Sequence, residues 1–380
     1  AMNLKNSTFV IVTHVYATGP AFRLEEYLQN KVKKLVFIGH PFFYAKDTCS
    51  FLRVYKKGRL VKENKFIEWK GPEITFYFKD IFLTLWWMLR FTPKVDYFIG
   101  VDNLNVFSGF ILRLTGRVRH LVFYTIDYVP NRFENKVLNS IYHFLDRLAV
   151  RKSDKVWNLS PIMVKEREKR GVDKKFRTKQ IVVPIGTSPV KLTKINRDRY
   201  QIVHMGHLLE KQGVEKLIEV MKHVIVKVPK AHLLVVGGGP LEDKLKKDVI
   251  SLKLQKYVKF TGFVKDFSEV EKMLQASAIA VAPYLNSKDT YTRYTDPGKP
   301  KDYLANGLPV VITKVPQVAY EIEKNKCGIA IKDNKKELTQ ALITLLTNDE
   351  MLKEFRKNAV KMAKKYTWDK IFDKALRQTL

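Results

Sequence analysis

Cysteine is nearly absent from this chain: Cys49 and Cys327 are the only two among 380 residues, and they lie far apart. Two distant cysteines fit neither a disulfide scaffold nor a cysteine-based metal site. We therefore expect a reducing, intracellular setting. The first residues also lack the charged and then apolar segments of a signal peptide, so a cytoplasmic protein is predicted.

Several other signals are missing as well. No run of about 18 apolar residues is present, so no transmembrane helix is predicted. The chain has neither the GxGxxG turn of dinucleotide-binding enzymes nor the GKS or GKT end of an ATP-binding phosphate loop. These absences argue against an enzyme that uses nicotinamide or ATP.

Acidic side chains are greatly outnumbered. The chain has 69 Lys and Arg residues against 38 Asp and Glu residues, a formal net charge of +31. Such a surplus concentrates polyanions, which include nucleic acids, anionic membrane surfaces and phosphorylated substrates. Charge alone does not distinguish among these three kinds of partner.

The length of 380 residues and the hydrophobic content of 46% predict a folded protein with two domains. Apolar strands alternate with helices along both halves, which predicts an α/β fold of two doubly wound, Rossmann-like units. Periodicity is lost between Pro184 and Lys194, where proline, glycine and hydroxyl residues collect. We predict an N-terminal domain over residues 2–187, a C-terminal domain over 188–363, and a final helix over 364–380 that packs back on the N-terminal domain.

Buried strands are predicted from short apolar runs bounded by turn residues. In the first half they cover residues 9–15, 35–39, 97–101, 121–125, 154–160 and 180–184, with a hairpin over 51–69. In the second half they cover residues 201–205, 232–236, 258–262, 279–283, 308–313 and 328–331. Ligands of open α/β sheets bind at the carboxyl ends of such strands, so the site is expected in a crevice between the two domains.

The segment from Asp296 to Pro309, DPGKPKDYLANGLP, carries the most specific signal. It predicts a turn, a short helix that opens at Pro300 and stops at Gly307, and then a buried strand. The helix start presents free amides, and the ammonium of Lys299 lies nearby, so a phosphate group can bind there. Alternatively, the segment is an ordinary loop-to-helix connection in which Asp302 stabilises the first helical turn.

Two further turns follow strands of the second half. The loop MGHLLEKQG, residues 205–213, places Lys211 between a strand and a helix, where its ammonium can pair with a phosphate oxygen. A solvated surface lysine is the alternative. Gly237, Gly238 and Gly239 end the next strand and allow the backbone to approach a ligand or a neighbouring helix closely.

Together these motifs resemble the donor half of a GT-B glycosyltransferase, closest to glycosyltransferase family 4. The similar segments are residues 206–213, VVGGGPLEDKL (235–245), VKFTGF (258–263) and PGKPKDYLANGLPVV (297–311), and VVPIGTSP (182–189) resembles the linker between the domains. The resemblance covers the C-terminal domain in order and spacing and is looser in the N-terminal domain. It implies the GT-B fold, a nucleotide-sugar co-substrate and no cofactor.

The resemblance also implies a role for each matching residue. Lys211 contacts the donor diphosphate, and Asp302, an aspartate in place of the usual glutamate, holds the ribose hydroxyls. Lys299 and the backbone of Pro297 and Gly298 would lie at the phosphate or sugar. Gly262, Phe263 and Val264 would border the base, and Gly238 is a further donor-side position. Two positions depart from the family pattern: His207 replaces an arginine, and Tyr294 replaces an acid. Cations and amides stabilise the departing diphosphate. Since the chain has no Asp-x-Asp motif, no metal is expected.

The acceptor side is predicted in the N-terminal domain, after the strand 121–125. Many related enzymes carry a histidine–aspartate pair there, whereas this chain has Ile126 and Asp127. Asp127 is the candidate general base, with a turn or helix-capping residue as the alternative. A base suits inversion of configuration, whereas the family resemblance implies retention. The other acceptor-side candidates, each with a structural or plain surface alternative, are His14, Gly19 and Arg132.

Two segments favour a membrane surface. Residues 76–91, FYFKDIFLTLWWMLRF, combine aromatic residues with flanking cations, as interfacial anchors do, although a buried helix is the alternative. Residues 165–179 form a basic stretch that is expected to be exposed, and such clusters dock proteins reversibly on anionic lipids. We expect peripheral binding at the inner face of the plasma membrane and a glycan or lipid-linked acceptor.

The sequence therefore predicts a hexosyltransferase-type enzyme. It would move a sugar from a UDP- or GDP-linked donor to a hydroxyl group in polysaccharide or glycoconjugate biosynthesis. Two alternatives remain: a non-enzymatic protein that binds polyanions or nucleic acid, and a sugar-nucleotide epimerase on the same fold. No recognisable nucleic-acid-binding module is present, so no nucleic-acid partner is expected.

Overall fold

The computed structural model describes residues 4–15, 19–193, 196–287 and 291–380. The chain divides into two compact units, the first comprising Ala1–Pro184 with Trp368–Leu380 and the second comprising Ile185–Thr367. The predicted boundaries, after residues 187 and 363, differ from these by a few residues. The linker belongs to the second unit because Ile185 and Thr187 form hydrogen bonds within it.

An eight-stranded sheet forms the centre of the first unit. Its strands are β1 (Thr8–Val15), β2 (Lys34–Pro41), β3 (Phe51–Lys56), β4 (Arg59–Lys65), β5 (Val95–Val101), β6 (Val118–Thr125), β7 (Lys155–Asn158) and β8 (Gln180–Val182). They lie in the order β4-β3-β2-β1-β5-β6-β7-β8. β3 and β4 form the predicted hairpin, which extends the edge of the sheet in antiparallel pairing, and all other neighbours are parallel. The predicted α/β sheet is therefore confirmed.

Helices pack on this sheet. Those before the linker are α1 (Pro20–Leu28), α2 (Glu73–Phe91), α3 (Asn103–Leu114), α4 (Lys136–Lys152) and α5 (Pro161–Lys169). α3 and α4 have no counterpart among the predicted elements. In α3 the interior Gly109 weakens the helical signal, yet it lets the helix approach the sheet, since a Cβ there would lie 2.4 Å from Cδ1 of Phe98. α3 packs against both α2 and α4.

A six-stranded parallel sheet forms the centre of the second unit. Its strands are β9 (Gln201–Met205), β10 (His232–Val236), β11 (Val258–Phe260), β12 (Ile279–Ala282), β13 (Val310–Thr313) and β14 (Gly328–Ile331). All six correspond to predicted strands. Their order, β11-β10-β9-β12-β13-β14, is the Rossmann order 3-2-1-4-5-6. The order reverses between β9 and β12, which is the place where such sheets bind ligands.

Helices cover both faces of the second sheet. They are α6 (Val214–Lys227), α7 (Glu242–Ser251), α8 (Phe267–Ala276), α9 (Lys299–Ala305), α10 (Val318–Lys324), α11 (Lys335–Thr347) and α12 (Asp349–Ala363). Successive strand residues enter different apolar clusters, Ile202 one and Val203 the other. Because both faces of the strands are buried, the strands appear in the sequence as continuous apolar runs.

The C-terminal helix α13 (Trp368–Thr379) belongs to the first unit. It packs on α1 and beside β8. The ring of Phe372 lies 5.4 Å from that of Tyr27, centroid to centroid, and Nε1 of Trp157 donates to Oγ1 of Thr379 at 2.9 Å. The apolar stripe near the end of the sequence is therefore buried against the N-terminal sheet, as predicted.

Candidate functional site

Three glycine turns meet at the carboxyl ends of β9, β10 and β11. Gly206, Gly237 and Gly262 have positive φ angles of 141°, 123° and 69°. The amide of Gly237 donates to the carbonyl of Gly262 at 3.1 Å, and a Cβ on Gly237 would lie 2.2 Å from the carbonyl oxygen of Gly206. Side chains are therefore excluded between the turns, and a ligand can approach the main chain closely.

Lys299, at the start of α9, reaches across to the turn after β9. A Cβ on Gly206 would lie only 2.0 Å from the Lys299 Nζ, so glycine is required for the ammonium to occupy this place. The Nζ donates to Oε1 of Gln212 at 2.7 Å. The ammonium that the sequence assigned to a phosphate therefore lies at the strand ends.

The electrostatics of this region favour an anion. Burial, and then the charge of Lys211, lower the pKa of Lys299 to about 8. Within the described ranges, no carboxylate pairs with Lys299. The Nζ of Lys211 lies 4.2 Å from the ring centroid of Tyr291. A bound phosphate would relieve the repulsion between the two ammonium groups.

Other donor-side candidates lie around the same turns. A Cβ on Gly238 would lie 3.5 Å from the amide nitrogen of Phe263, so these two strand ends are adjacent. The side chain of Phe263 is 81% exposed, whereas Val264 packs against the buried side chains of the unit. His207 is exposed. The structure thus gathers the loop after β9, Gly238 and the end of β11 at one edge of the sheet.

A buried ion pair, which the sequence did not indicate, lies beside α9. The carboxylate of Asp296 pairs with Lys301 and accepts a hydrogen bond from the amide of Ile185 at 2.7 Å. Lys301 also donates to the carbonyl of Ile185 at 2.7 Å. Burial raises the pKa of Asp296, although the charge of Lys301 opposes this rise. The ion pair thus holds the linker residue Ile185 beside α9, although Ile185 is 111 residues from Asp296 along the chain.

Asp302 lies at the same linker. Its Oδ1 accepts a hydrogen bond from the hydroxyl of Thr187 at 2.8 Å. Helix α9 begins one residue before Pro300, with Gly298 as the N-cap residue, and Gly307 ends it at a φ of 72°, as predicted. The remaining candidates of this segment, Tyr294 and Pro297, lie in the connection before α9, which the structure describes from residue 291 onward.

A cavity of about 360 Å³ lies at the carboxyl ends of three neighbouring strands of the first unit. His14 lies near the end of β1, Asp102 follows β5, and Asp127 follows β6. All three line the cavity together with Arg132. The strand order reverses between β1 and β5, so the cavity occupies the usual ligand position of an α/β sheet.

Asp102 is a candidate that the sequence analysis missed. Its backbone has φ 68° and ψ 164°, a region that suits glycine and costs other residues about 1–3 kcal/mol. Burial, and then the charge of Asp127, raise the pKa of its carboxyl to about 7. Strain and a shifted pKa within a cavity are typical of functional groups. The sequence signal that could have identified Asp102 is its position just after a buried strand, which resembles the position of Asp127.

Asp127 lies beside an arginine. Its carboxylate pairs with Arg132, and its backbone carbonyl accepts a hydrogen bond from the hydroxyl of Tyr142 at 3.2 Å. Burial lowers the pKa of Arg132, but the charge of Asp127 outweighs this effect and holds that pKa above its ordinary value. Asn135, and not Asp127, caps α4, by accepting from the amide of Val137 at 2.9 Å. The helix-capping alternative for Asp127 therefore does not apply.

A buried polar network holds His14. Its Nε2 lies 3.3 Å from Oδ2 of Asp80, and its Nδ1 lies 3.2 Å from Nδ2 of Asn105. Asp80 also contacts Nδ1 of His40 at 3.3 Å and Nζ of Lys79 at 3.0 Å. Burial lowers the pKa of His40 to about 3, so that histidine is neutral at pH 7. His14 thus has structural partners on one side and faces the cavity on the other.

Gly19 is the N-cap residue of α1 and follows residues 16–18, which lie outside the described ranges. Among the described residues, a Cβ at Gly19 would meet no atom within 4 Å. Its φ of −143° is open to any residue. The fold therefore does not require glycine here, and the close approach of an acceptor or phosphate to Gly19 stays a prediction.

Most cations of the basic stretch 165–179 are exposed, as predicted, and one is buried. Arg167 is completely buried, and its guanidinium pairs with Asp146 at 2.7 Å. Arg177 pairs with Glu168 at 2.5 Å. The expectation of an exposed basic stretch therefore holds for most of its cations, although Arg167 is buried and ion pairs neutralise part of the charge.

Helix α2 buries one apolar face and exposes another. Leu83 and Trp87 are buried, whereas Phe78 and Phe82 are 70% and 63% exposed. The two alternatives for this segment, a buried helix and an amphipathic surface helix, are thus combined in one element. Every helix in the described ranges is too short or too polar to cross a lipid bilayer.

Cys49 and Cys327 are free thiols and lie in different units. Over the residues that the structure describes, no three side chains of His, Cys, Asp or Glu gather in a way that could hold a metal ion. The metal-independent reaction stays a prediction.

The fold and the strand-end sites together define the class of protein. Sucrose-phosphate synthase from Thermosynechococcus elongatus has the same architecture, with 14% identity and a TM-score of 0.71 over 98% of this chain and 99% of that one. The Anabaena protein HepE, solved in complex with UDP, is 14% identical with a TM-score of 0.69 over 98% of each chain. The chain has the GT-B fold of glycosyltransferases.

The family match lies within the second unit. Residues 190–362 match the family described as glycosyl transferases group 1. The alpha-monoglucosyldiacylglycerol synthase of Acholeplasma laidlawii is 27% identical over 175 residues, which are 45% of this chain and 41% of that protein. This match spans less than half the length of the relative. Residues 190–362, a little less than half of the chain, thus resemble the glycosyl transferases of group 1, and the predicted resemblance to a GT-B glycosyltransferase is confirmed.

Proposed function

We propose that the protein transfers a sugar from a UDP- or GDP-linked donor to a hydroxyl of a glycan or lipid-linked acceptor in polysaccharide or glycoconjugate biosynthesis. One observation carries this proposal. The half-buried Lys299, which pairs with no carboxylate among the described residues, lies against the glycine turns at the ligand position of the second sheet. A diphosphate supplies the missing negative charge. A solved neighbour that holds UDP, and a relative named as a monoglucosyldiacylglycerol synthase, support the donor and acceptor classes.

On the donor side, Lys299 and Lys211 stabilise the charge that grows on the departing diphosphate. His207 stands where an arginine is common in the family, so it offers fewer hydrogen-bond donors to the phosphate. The exposed ring of Phe263, beside Gly262, can stack on the base. With these groups in place the reaction needs no metal ion.

On the acceptor side, a carboxylate takes the proton of the attacking hydroxyl as the new glycosidic bond forms and the bond from sugar to phosphate breaks. Arg132 occupies one oxygen of Asp127, whereas the carboxyl of Asp102 has a pKa raised to about 7, chiefly by burial. A base with a pKa near the working pH transfers protons most effectively. We therefore assign the proton to Asp102, and to Asp127 with Arg132 the positioning of the acceptor.

The donor site is tested by two substitutions. Lys211→Ala and Asp302→Ala are each expected to weaken binding of the nucleotide sugar about tenfold or more, since each removes a hydrogen bond to a charged group worth about 1.5–3 kcal/mol. The measurement is calorimetric titration with the UDP or GDP sugar that gives the largest thermal shift, in buffer with EDTA.

Lys222→Ala, an exposed lysine on α6, serves as the control and is expected to change nothing. Unchanged titrations in both site variants would contradict the residue assignment. A wild-type protein that responds to no nucleotide or nucleotide sugar would contradict the proposed function, and binding that vanishes in EDTA would contradict metal independence. Conversion of the donor sugar without any acceptor would instead identify an epimerase.

We also propose that the first unit docks on an anionic membrane at the cytoplasmic face through α2. One face of this helix carries large exposed apolar side chains at intervals of three or four residues: Ile74, Phe78, Phe82, Trp86 and Leu89. The exposed cations Arg90 and Lys94 flank the end of the helix. Together with the net charge of +31, this composition favours the interface of an anionic leaflet.

The docking proposal is tested with Phe82→Ser combined with Leu89→Ser. Burial of each large apolar side chain is worth about 1.5–3 kcal/mol, so the double variant is expected to bind phosphatidylglycerol vesicles at least tenfold more weakly in a cosedimentation assay. Val226→Ser, which alters a side chain 74% exposed on the second unit, is the matched control. Full vesicle binding by the double variant, or equal binding of the wild type to phosphatidylcholine vesicles, would refute this docking mode.

A further inference from the structure

The cavity of the first unit has apolar walls, although its floor carries charged residues. Three helices supply the walls: Phe78 and Ile81 from α2, Leu104 and Phe107 from α3, and Ile141 and Leu145 from α4. A sugar held against these walls would lose water from its hydroxyls without gaining hydrogen bonds, which is unfavourable. The walls therefore suit hydrocarbon.

One group of polar residues of the cavity lies at the strand ends, and the helices add Tyr77, Asn103, Tyr142 and Asp146. His14, Asp102 and Asp127 line the same cavity and follow or end neighbouring strands, while the wall residues belong to helices. The cavity thus has a polar part at the strand ends and helical walls that are mainly apolar. An amphiphile, with a hydroxyl-bearing head and a hydrocarbon chain, matches this division.

The apolar part is open to the outside. Phe78 on α2 and Ile141 on α4 line the cavity and are nevertheless 70% and 49% exposed. Ile74 and Leu138, also cavity residues, are 56% and 47% exposed. Since these side chains belong to the cavity and to the surface at once, they form its mouth. An apolar mouth on the same helix as the proposed membrane-docking face allows a chain to pass from a lipid layer without crossing water.

We propose that this cavity binds the hydrocarbon chain of an amphiphilic acceptor and holds its hydroxyl near Asp102 and Asp127. The proposal rests on the proposed glycosyl transfer and adds the acceptor class: a lipid whose chain enters the protein. The chain is linear or isoprenoid, and both share the chemistry that the walls recognise. The chain contributes binding energy, while the carboxylates act on the head.

Chain binding is measured on the 380-residue protein without any donor. The probes are 1-hexanol, 1-octanol and 1-decanol, each displacing the uncharged fluorophore N-phenyl-1-naphthylamine. Each buried methylene contributes enough to lower the dissociation constant about fourfold, until the chain fills the cavity. Geraniol, with as many carbons as 1-decanol, is the isoprenoid arm, and tighter binding of one of the two identifies the kind of chain.

Two variants on one helix supply the matched comparison. Leu104→Trp fills the cavity and is expected to weaken 1-decanol binding at least tenfold, whereas Leu114→Trp, at a position of α3 that is 72% exposed, is expected to leave it unchanged. Ile141→Trp narrows the mouth and replaces Leu104→Trp if that variant does not fold. A dissociation constant independent of chain length for both kinds of alcohol, or equal effects of the cavity and control variants, would overturn the proposal.

Titration with UDP and GDP sugars separates this inference from the proposed function. Nucleotide binding in the second unit is expected to be the same in the wild type and in Leu104→Trp. If the wild type binds nucleotide sugar but shows no chain-length dependence, the chain inference alone is wrong. If alcohols bind with the expected dependence but no nucleotide does, the chain site stands and the donor function fails.

Discussion

Lys299→Met is expected to raise the free energy of unfolding at pH 7 by about 1–2 kcal/mol and to weaken nucleotide-sugar binding about 10- to 100-fold. Burial and the charge of Lys211 lower the pKa of Lys299 to about 8, a shift that corresponds to at most about 3 kcal/mol against the charged form. The lost hydrogen bond to Gln212 costs about 1 kcal/mol, which leaves a net gain in stability. The same change removes a charged donor to the diphosphate, worth about 1.5–3 kcal/mol.

The pH dependence distinguishes this cause from a general effect on packing. The pKa of Lys299 is lowered from 10.5 to about 8, so the penalty on the folded state is complete below pH 8 and disappears as the pH rises towards 10.5. The stability gain of Lys299→Met is therefore expected to be full below pH 8 and to shrink progressively between pH 8 and 10.5. Donor affinity of the wild type should fall as the pH rises through about 8, because only the ammonium pairs with phosphate, whereas that of the variant should not show this step.

Urea denaturation and calorimetric titration, each at pH 7 and pH 9, provide these measurements. Lys222→Met, on the exposed face of α6, is the control for removing a lysine from the same unit. A variant that keeps wild-type donor affinity would exclude Lys299 from the phosphate site. A loss of stability at pH 7 would mean that packing and the Gln212 contact outweigh the buried charge.

Asp102→Gly is expected to raise the free energy of unfolding by about 1–2 kcal/mol and to lower the rate of sugar transfer by about 10²–10⁴-fold. The φ of 68° and ψ of 164° strain any residue except glycine by about 1–3 kcal/mol, and Asp102→Gly relieves this strain. The greater freedom of glycine in the unfolded chain lowers the stability of the variant by about 0.5–1 kcal/mol, which offsets part of the gain. The side chain of Asp102 forms no capping hydrogen bond at α3, so that contribution is not lost. The rate effect is that of removing a general base.

Asp102→Asn separates the charge from the strain, because it keeps the Cβ and removes the carboxyl. Burial and the charge of Asp127 raise the pKa of Asp102 from 3.8 to about 7. The contribution of this carboxyl to the free energy of unfolding is therefore most favourable below about pH 4 and is lost as the pH rises through 7. Relative to the wild type, Asp102→Asn should therefore be more stable at pH 8 than at pH 5. The difference between the Gly and Asn variants should not change with pH.

Chemical denaturation of the three proteins at pH 5 and pH 8, with transfer rates at both values, checks these expectations. Wild-type transfer should rise between pH 6 and pH 8 as Asp102 loses its proton, and neither variant should show that rise. A full transfer rate in Asp102→Asn would remove Asp102 from the reaction. In that case Asp127→Asn becomes the decisive variant, since Asp127 is the other carboxylate at the strand ends, whereas the third cavity carboxylate, Asp146, pairs with the buried Arg167.

Local patterns in the sequence were sufficient for most strands and for the donor-side turns. β9, β10 and β14 have the predicted bounds because strands buried on both faces must be continuously apolar. Gly307 ends α9 at a positive φ, as its position after the helix predicted. By contrast, α3 escaped prediction because Gly109 weakens its local signal and is explained only by its contact with the sheet.

Contacts between distant residues were not predictable from such patterns. Asp296 and Lys301 form hydrogen bonds to Ile185, which is 111 residues from Asp296 along the chain. The burial of Arg167 depends on its ion pair with Asp146 in another helix. The sequence by itself determined two Rossmann-like units, the GT-B resemblance and the donor-side loops, since these depend on neighbours along the chain. Only the tertiary structure decided that Lys299 lies over Gly206, that Asp102 is strained and half-buried, and that three helices enclose an apolar cavity. Burial, electrostatic environment and cavity shape arise from side chains that meet only in the folded chain, and those properties set the chemistry of both sites.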